Sequence, residues 1–423
     1  MLTVPPAPEV SISYTSVPDG LDPSTLFGVA RRINPRRSTL FVSRVLGKHV
    51  PVDPAVCLFV GLHLASKVHA DTGAGGDPAP ALSLADGLAS PGAAREMVDH
   101  ILRQRDPAGP PMHVIGCAET ATALGHSVRD GLPRADYVHT TRRVEPGWAP
   151  VVTFSEEHSH AVHHRIVHRD PQYLRDDQPI LFVDDELTTG RTLLNAIASI
   201  QALAPRPLYR VASLLDWRNA AALDAFSRAE ARLGTTITVT SLVAGEARWA
   251  EDQLPHPDEA VPAGPSPADL RVLRHRVSFG SAVARHGWDA GDQEAFESQA
   301  VTVAAQLTAI RSGQRALVLG TEEFMYAPLR AALAMGDGVA YQSTTRSPII
   351  AADVDGYPIR HKAAFANPAA GDRTSFVYNV APGAYDDIFV LFDQEHGDAE
   401  TAPLVTALTA ARPSALHLVA AGP

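Results

Sequence analysis

Pro179 to Ile200, PILFVDDELTTGRTLLNAIASI, constrains the fold more than any other stretch of the chain. Ile180 to Val183 is an apolar run long enough for a buried strand and too short for a helix, and it is expected to stop at the adjacent carboxylates Asp184 and Asp185. A hydroxyl-rich turn follows, Thr188-Thr189-Gly190-Arg191-Thr192. Leu193, Leu194, Ile197 and Ile200 then recur at helical spacing, which predicts an amphipathic helix. A strand, an acid pair, a turn and a helix in this order predict an α/β unit.

The chemistry of such a turn is local. N–H groups at a helix start point outward and carry the positive end of the helix dipole, so an anion can rest there. The dipole alone stabilises by only about 0.3–1 kcal/mol, so several donors must converge. Thr188, Thr189 and Thr192 can add hydroxyls, and Gly190 permits close approach or φ > 0. Two carboxylates at a strand end can hold sugar hydroxyls, directly or through Mg²⁺. A plain βα turn with threonine caps and a solvated acid pair is the alternative. No GxxxxGK[ST] loop occurs here.

These residues resemble the phosphoribosyl-pyrophosphate (PRPP) motif of type I phosphoribosyltransferases. The resemblance implies that Asp184 and Asp185 hold the ribose hydroxyls, with Mg²⁺ reached through them, and that Thr188, Thr189, Gly190, Arg191 and Thr192 cradle the 5-phosphate. Many members carry an acid at the first loop position; here it is Thr188, as in orotate-type members. The implied fold is Rossmann-like α/β with a mainly parallel sheet.

At 423 residues the chain exceeds one ordinary core, so two domains are expected. A net charge of −11 argues against a nucleic-acid binder, while leaving room for an anionic small molecule held by local positive charge. Only Cys57 and Cys117 occur, which excludes a disulfide framework and fits a reducing cytoplasm. MLTVPPAPEV lacks the basic start and apolar core of a secretion signal. The apolar stretch Ala55 to Val68 is too short to span a bilayer and reads as a buried helix behind Pro51 and Pro54. Neither nucleic acid nor membrane is expected as a partner.

Arg36 to Pro51, RRSTLFVSRVLGKHVP, reads as two short strands around a turn at Gly47. It is either a basic surface hairpin or, as the resemblance implies, a hood over the acceptor, with Ser43, Arg44, Lys48 and His49 facing it. His113 to Gly116 reads as the next buried strand. Ala118, Glu119, Thr120 and Ala121 form the following turn, which the resemblance assigns to pyrophosphate and which is otherwise an ordinary βα turn. Tyr137 to Arg143 ends in two arginines; Arg suits bidentate phosphate contact, and Arg142, with Arg143 behind it, is the candidate. Phe154 to Asp170 holds five histidines. His160 and His164 stand at i, i+4, but without Cys or HExxH a zinc site is the weaker reading. A lid is preferred, in which His158 faces the acceptor and His160 transfers a proton near neutral pH.

Gly245 to Asp269 is rich in proline and acid without apolar period and reads as a linker. The expected domains are 1–264, which binds PRPP, and 265–423. The second contains an internal echo: Gly320, Tyr341, Thr344-Thr345-Arg346 match Gly116, Tyr137, Thr140-Thr141-Arg142, with both Gly-to-Tyr intervals 21 residues. DDIFVLFD parallels the strand before Asp184-Asp185, yet the TTGRT loop is missing. A second α/β domain of related topology follows. YQSTTRSPI and LGTEEFMYAPL make the whole chain resemble the two-domain phosphoribosyltransferase–TRSP proteins of bacterial tellurium-resistance-associated biosynthetic operons. Arg346, with Thr345 and Ser347, is a candidate anion clamp, and Glu322 and Tyr326 line the neighbouring turn.

The leading expectation is a Mg²⁺-dependent phosphoribosyltransferase that moves the 5-phosphoribosyl group of PRPP to a nucleobase-like small-molecule acceptor and releases pyrophosphate. A PRPP-binding regulator and a pyrophosphokinase resembling PRPP synthetase stand as alternatives. The acceptor and the oligomeric state, a homodimer included, stay open.

Overall fold

The computed structural model describes residues 8–34, 38–71, 83–104, 109–155, 163–249, 270–280 and 283–422. The first half begins with β1 (Val10–Ser16), then a hairpin of β2 (Phe27–Arg31) and β3 (Thr39–Ser43). Helix α1 (Pro54–Asp71) contains the apolar stretch and is buried almost all round, with Cys57, Leu58, Phe59, Val60, Leu62 and Leu64 at 0–1% exposure. A helix apolar on every face can only be a core helix. Short α2 (Leu84–Leu88) and α3 (Pro91–Gln104) lie beside it. Next come β4 (Met112–Gly116), α4 (Thr122–Asp130), β5 (Ala135–His139) and a hairpin of β6 (Pro150–Ser155) and β7 (His163–Val167). The half closes with β8 (Ile180–Leu187), α5 (Arg191–Leu203), β9 (Leu208–Asp216), α6 (Ala220–Leu233) and β10 (Thr236–Trp249).

Its sheet runs β1-β10-β9-β8-β4-β5, parallel throughout except for β1. Ile180, Leu181, Phe182 and Val183 are at 0–1% exposure because β8 is central and covered on both faces. Each such side chain stabilises by about 1.5–3 kcal/mol. The strand does not stop at the acid pair: pairing with β9 continues through Asp184, Glu186 and Leu187. Backbone pairing and burial of Leu187 carry it onward where no apolar run marks it.

Two further expectations change. Gly47 is not a hairpin turn: β3 pairs with β2 upstream, and the Gly47 carbonyl instead accepts from Ser343 N of the second half at 2.6 Å. Gly245 to Trp249, read as linker, lies in β10 and pairs with β1, which supplies the partner that the sequence pattern did not announce. Residues 250–269 lie outside the described set.

The second half comprises β11 (Arg271–Ser278), α7 (Ala290–Ala309), β12 (Ala316–Gly320), α8 (Tyr326–Ala334), β13 (Val339–Ser343), a hairpin of β14 (Lys362–Asn367) and β15 (Ala370–Tyr378), β16 (Asp387–Phe392), α9 (Asp398–Leu408) and β17 (Ala415–Gly422). Its sheet is wholly parallel in the order β11-β17-β16-β12-β13. The run β12–α8–β13–hairpin–β16–α9–β17 repeats β4–α4–β5–hairpin–β8–α5–β9. The repetition reaches single bonds. Thr140 N donates to Gly116 O and Thr344 N to Gly320 O, each at 2.9 Å. Ala118 N donates to Thr140 Oγ1 at 2.8 Å, and Glu322 N to Thr344 Oγ1 at 3.0 Å.

The halves interlock. The outer edge of β5 is capped by the second half, Tyr137 N donating to Trp288 O, while that of β13 is capped by the first, Tyr341 N donating to Val52 O, both at 2.8 Å. Helix α4 packs on α8, where the His126 ring stacks on Tyr326 with centroids 3.5 Å apart. Among the described residues no helix is long and apolar enough to cross a membrane.

Candidate functional site

The carboxyl end of β8 opens into a cavity of about 1040 Å³. Ligands of α/β sheets sit outside the carboxyl ends of the strands, where loops and helix starts converge. Asp184 Oδ1 accepts from Asp185 N at 3.0 Å. Burial first, and then the Asp185 carboxylate beside it, push the Asp184 carboxyl well above its ordinary range. That arrangement is relieved by a cation or by hydroxyl donors.

Thr188 to Thr192 line the same cavity. Gly190 caps α5 at φ +62° with no side-chain cap of its own, and Arg191 N reaches Thr189 Oγ1 at 3.5 Å, so the turn brings backbone donors and hydroxyls together at the helix start. A Cβ at Gly190 would sit 2.4 Å from the Phe226 ring, so only glycine fits this turn.

Across the cavity lie the ends of β4 and β5. The Ala118–Glu119 peptide is cis. Glu119 is 9% exposed, paired with Lys48 and, at 3.1 Å, with Arg346 Nε. Burial works to raise its carboxyl, and the two cations outweigh burial and hold it down to about 2. Arg142 Nε donates to His164 Nε2 at 3.2 Å, which ties the end of β5 to the β6–β7 hairpin. Cys117 also lines the cavity, its thiol pushed well up by burial and then by Asp184 and Asp185, so it is no thiolate.

The cavity therefore gathers Ala118, Glu119, Thr120, Arg142, Asp184, Asp185 and the 188–192 turn with His49, Thr345, Arg346 and Ser347. His49 is 5% exposed, and burial, then Lys48, lower its imidazole to about 3, so it is neutral at every working pH. Other sequence-stretch candidates lie off its lining. Ser43 Oγ accepts from Val45 N at 3.2 Å, and Arg44 N is held by Leu26 O at 2.8 Å. Lys48 is 1% exposed and donates to Thr344 O at 3.0 Å, so it is a seam residue, not part of a solvated hairpin. Ala121 forms the N-cap of α4. Arg143 turns away to Asp393 at 3.2 Å and Glu322 at 3.4 Å. Glu322 also accepts from Ser375 Oγ at 3.0 Å, and Tyr326 donates to Asp130 Oδ2 at 2.6 Å. Arg36, Arg37, His158 and His160 lie outside the described residues.

Sequence reasoning missed Arg32, Asn34, Phe41, Trp217, Trp249 and Arg373, all on the cavity wall. The two tryptophans had a signal, since Trp217 directly follows β9 and Trp249 ends β10. Phe41 packs on both rings, with centroids 5.4 and 5.8 Å away. Arg373 comes from the β14–β15 hairpin of the other half, which no local pattern reveals.

In the second half the equivalent place is closed. Val183 pairs with Gly116 and Leu391 with Gly320, which sets Phe392 at the position of Asp184 and Asp393 at that of Asp185. Asp393 is taken by Arg143 at 3.2 Å and Arg285 at 3.3 Å.

A family model described as "Phosphoribosyl transferase" matches residues 26–246, and one described as "TRSP domain C terminus to PRTase_2" matches residues 282–408. No curated protein matches the sequence. Solved structures with similarity include adenine phosphoribosyl transferase from Trypanosoma brucei in complex with AMP, pyrophosphate and ribose-5-phosphate, at 15% identity and TM-score 0.26; 34% of this chain covers 64% of that one, less than two thirds of its length. The Giardia lamblia APRTase complexed with 9-deazaadenine is 20% identical, with 38% and 84% covered and TM-score 0.25. The Leishmania donovani adenine phosphoribosyltransferase is 13% identical, with 55% and 86% covered and TM-score 0.30.

Proposed function

The chain belongs to the phosphoribosyl transferase family whose members carry a TRSP domain C-terminal to the transferase, and we propose that its large cavity binds PRPP with Mg²⁺ and passes the 5-phosphoribosyl group to a planar, nucleobase-like acceptor, releasing pyrophosphate. We take residues 1–264 as the PRPP-binding unit and 265–423 as the TRSP unit. The observation that carries this reading is the convergence, in one cavity, of an adjacent acid pair, a helix start and the arginine-bearing end of β5.

In this reading the backbone N–H groups and hydroxyls of Thr188 to Thr192 hold the 5-phosphate. Asp184 and Asp185 accept from the ribose hydroxyls. The turn at 118–120 and Arg142 receive the diphosphate. Among the described residues no cluster of three or more His, Cys, Asp or Glu side chains could cage a metal. Two carboxylates, one of them with its proton affinity raised, suit a Mg²⁺ held largely by oxygens of the substrate. When bound, Mg²⁺ neutralises charge that accumulates on the departing diphosphate.

As the C1–O bond of PRPP lengthens, positive charge grows on the ribose ring and negative charge on pyrophosphate. Arg142 is aimed at the negative end and needs no rearrangement, since His164 already orients it. The β6–β7 hairpin stands over the site and excludes water from the ring cation. Phe41 and Trp249, packed edge to face, offer the acceptor an aromatic corner. The pyrophosphokinase alternative is weakened by the second half, where Phe392 and the ion-paired Asp393 replace the acid pair.

Calorimetric titration of PRPP with and without Mg²⁺ tests the assignment. Metal-dependent binding is expected in the wild type, and Asp184→Asn/Asp185→Asn should weaken it by about 100-fold, or about 2.7 kcal/mol. Equal affinity in both proteins would overturn it.

A further inference from the structure

At the seam between the halves the cavity wall changes character. Arg346 takes the place that Arg142 holds in the first half, yet it reaches across to Glu119. That bond uses Nε alone. Among the described residues Arg346 Nη2 is buried without a hydrogen-bond partner, and so are Ser347 Oγ and both ring nitrogens of His49. All three side chains line the cavity, and His49 is 5% exposed. Buried polar atoms left unpaired cost about 1–3 kcal/mol each, so a cluster of them on one wall marks where a ligand completes the bonding.

The charge at this wall selects the ligand. Glu119 is shared between Lys48 and Arg346, so two cations flank this one carboxylate. Glu322 Oε1 stands 3.8 Å from Arg346 Nε but also accepts from Asn367 and Ser375, while its Oε2 meets Arg143. Arg373 adds a further cation. The wall is also preformed. Ile33 N donates to Pro348 O at 2.8 Å, Tyr378 Oη to Ser347 O at 2.7 Å and Ser347 N to Thr345 Oγ1 at 3.1 Å. A preformed donor set loses little entropy on binding.

We propose that Arg346, Ser347 and His49 form an anion subsite for the acceptor, so that the substrate receiving the phosphoribosyl group is an acid bearing a carboxylate or phosphate. This rests on the PRPP reading, in which the first half already supplies an anchor for each phosphate of PRPP. Arg346 and Ser347, contributed by the second half, are surplus to PRPP. Arg346 gives a permanent charge and Ser347 a hydroxyl. His49, neutral in its buried place, donates from one nitrogen and can accept an acceptor N–H at the other. The TTRSP segment is thereby the specificity element that the second half contributes to the first.

Inorganic phosphate is the probe, titrated calorimetrically into the full-length protein, free and saturated with PRPP and Mg²⁺. The proposal expects phosphate to bind the PRPP-saturated protein, and Arg346→Gln and, independently, Ser347→Ala to weaken that binding by about tenfold, while PRPP affinity in Ser347→Ala, which leaves the Glu119 ion pairs intact, moves by less than about threefold. Circular dichroism and melting of both variants report folding, and Ser347→Ala removes only one oxygen. Exclusion of phosphate by PRPP, or loss of PRPP affinity in Ser347→Ala, would assign the cluster to the diphosphate and sink the proposal. If PRPP fails to bind the wild type, the PRPP reading fails and with it the acceptor role; the anion subsite itself then stands on phosphate binding that Arg346→Gln abolishes, and falls if that variant binds phosphate as well as the wild type.

Discussion

Arg346 Nε donates to Glu119 Oε2 at 3.1 Å across 227 residues of chain, from the end of a strand in one half to the tip of a turn in the other. Lys48 closes the triad from a third segment, with side chains 1% and 8% exposed for Lys48 and Glu119. Removing one member of a buried ion pair strands the others, which costs about 3–5 kcal/mol.

Glu119→Gln should therefore lower unfolding stability by that order at neutral pH. The sign with pH follows from the carboxyl, held from 4.5 down to about 2 by Lys48 and Arg346 against burial. Its contribution is present above the unfolded value and is lost as pH falls toward the folded one. Urea titrations at pH 7 and pH 3 should show the gap between wild type and variant narrowing at the lower pH. A constant gap would mean that the carboxylate charge is not what the variant loses.

Gly190→Ala and Gly234→Ala make a matched pair. Both positions hold left-handed backbone, at φ +62° and +63°, so both substitutions cost about 1–2 kcal/mol from conformation. Only at Gly190 does the new Cβ strike a side chain, the Phe226 ring at 2.4 Å, whereas nothing lies within 4 Å of Gly234. The larger melting shift is expected in Gly190→Ala, which adds the clash to the conformational cost, with ribose 5-phosphate affinity reduced about tenfold in that variant alone. Equal affinity in the two variants would remove the α5 turn from phosphate binding.

The contrast between these residues explains what the sequence could tell. The strand–turn–helix at 180–200 was legible because its signals are local: an apolar run, a glycine, a helical period. The repeat of Gly-to-Tyr intervals was legible because two copies of one unit keep their spacing. The fates of Lys48 and Arg143 were not. Lys48 read as basic surface or as part of a hood over the acceptor and Arg143 as a pyrophosphate ligand, yet Lys48 meets Thr344 and Glu119, and Arg143 meets Asp393. Partners so far away along the chain leave no trace in local pattern. Burial of a charge is decided by the whole fold, through whichever acid is brought to it.

Arg285 shows the same dependence at the edge of β5. It is 4% exposed and contacts Glu145 at 3.2 Å, Glu323 at 3.3 Å and Asp393 at 3.3 Å. Asp393 keeps Arg143 at 3.2 Å, so Arg285→Gln leaves Glu323 as the buried carboxylate that loses its cation, and it should destabilise the protein by about 3–5 kcal/mol. The melting temperature reads this directly, and a change under about 1 kcal/mol would show that water replaces the guanidinium at no great cost.

His113 allows a test remote from the cavity, at the opposite end of β4. Its Nδ1 lies 2.8 Å from Asp136 Oδ2 and its Nε2 2.9 Å from Asp176 Oδ2, with Tyr173 stacked edge-on at 4.8 Å. Burial pulls the imidazole down, but the two carboxylates outweigh it and raise it above 6.5. A base raised on folding contributes stability that is whole below its unfolded value and disappears as pH climbs through its folded one. His113→Gln should thus destabilise more at pH 6 than at pH 9, by about 1–3 kcal/mol at the lower pH, where charged hydrogen bonds are broken. PRPP affinity should stay unchanged, because no part of the site touches this pair of carboxylates. Equal destabilisation at both pH values would mean that the histidine is neutral in the folded protein and that its place in the fold is set by packing on Tyr173.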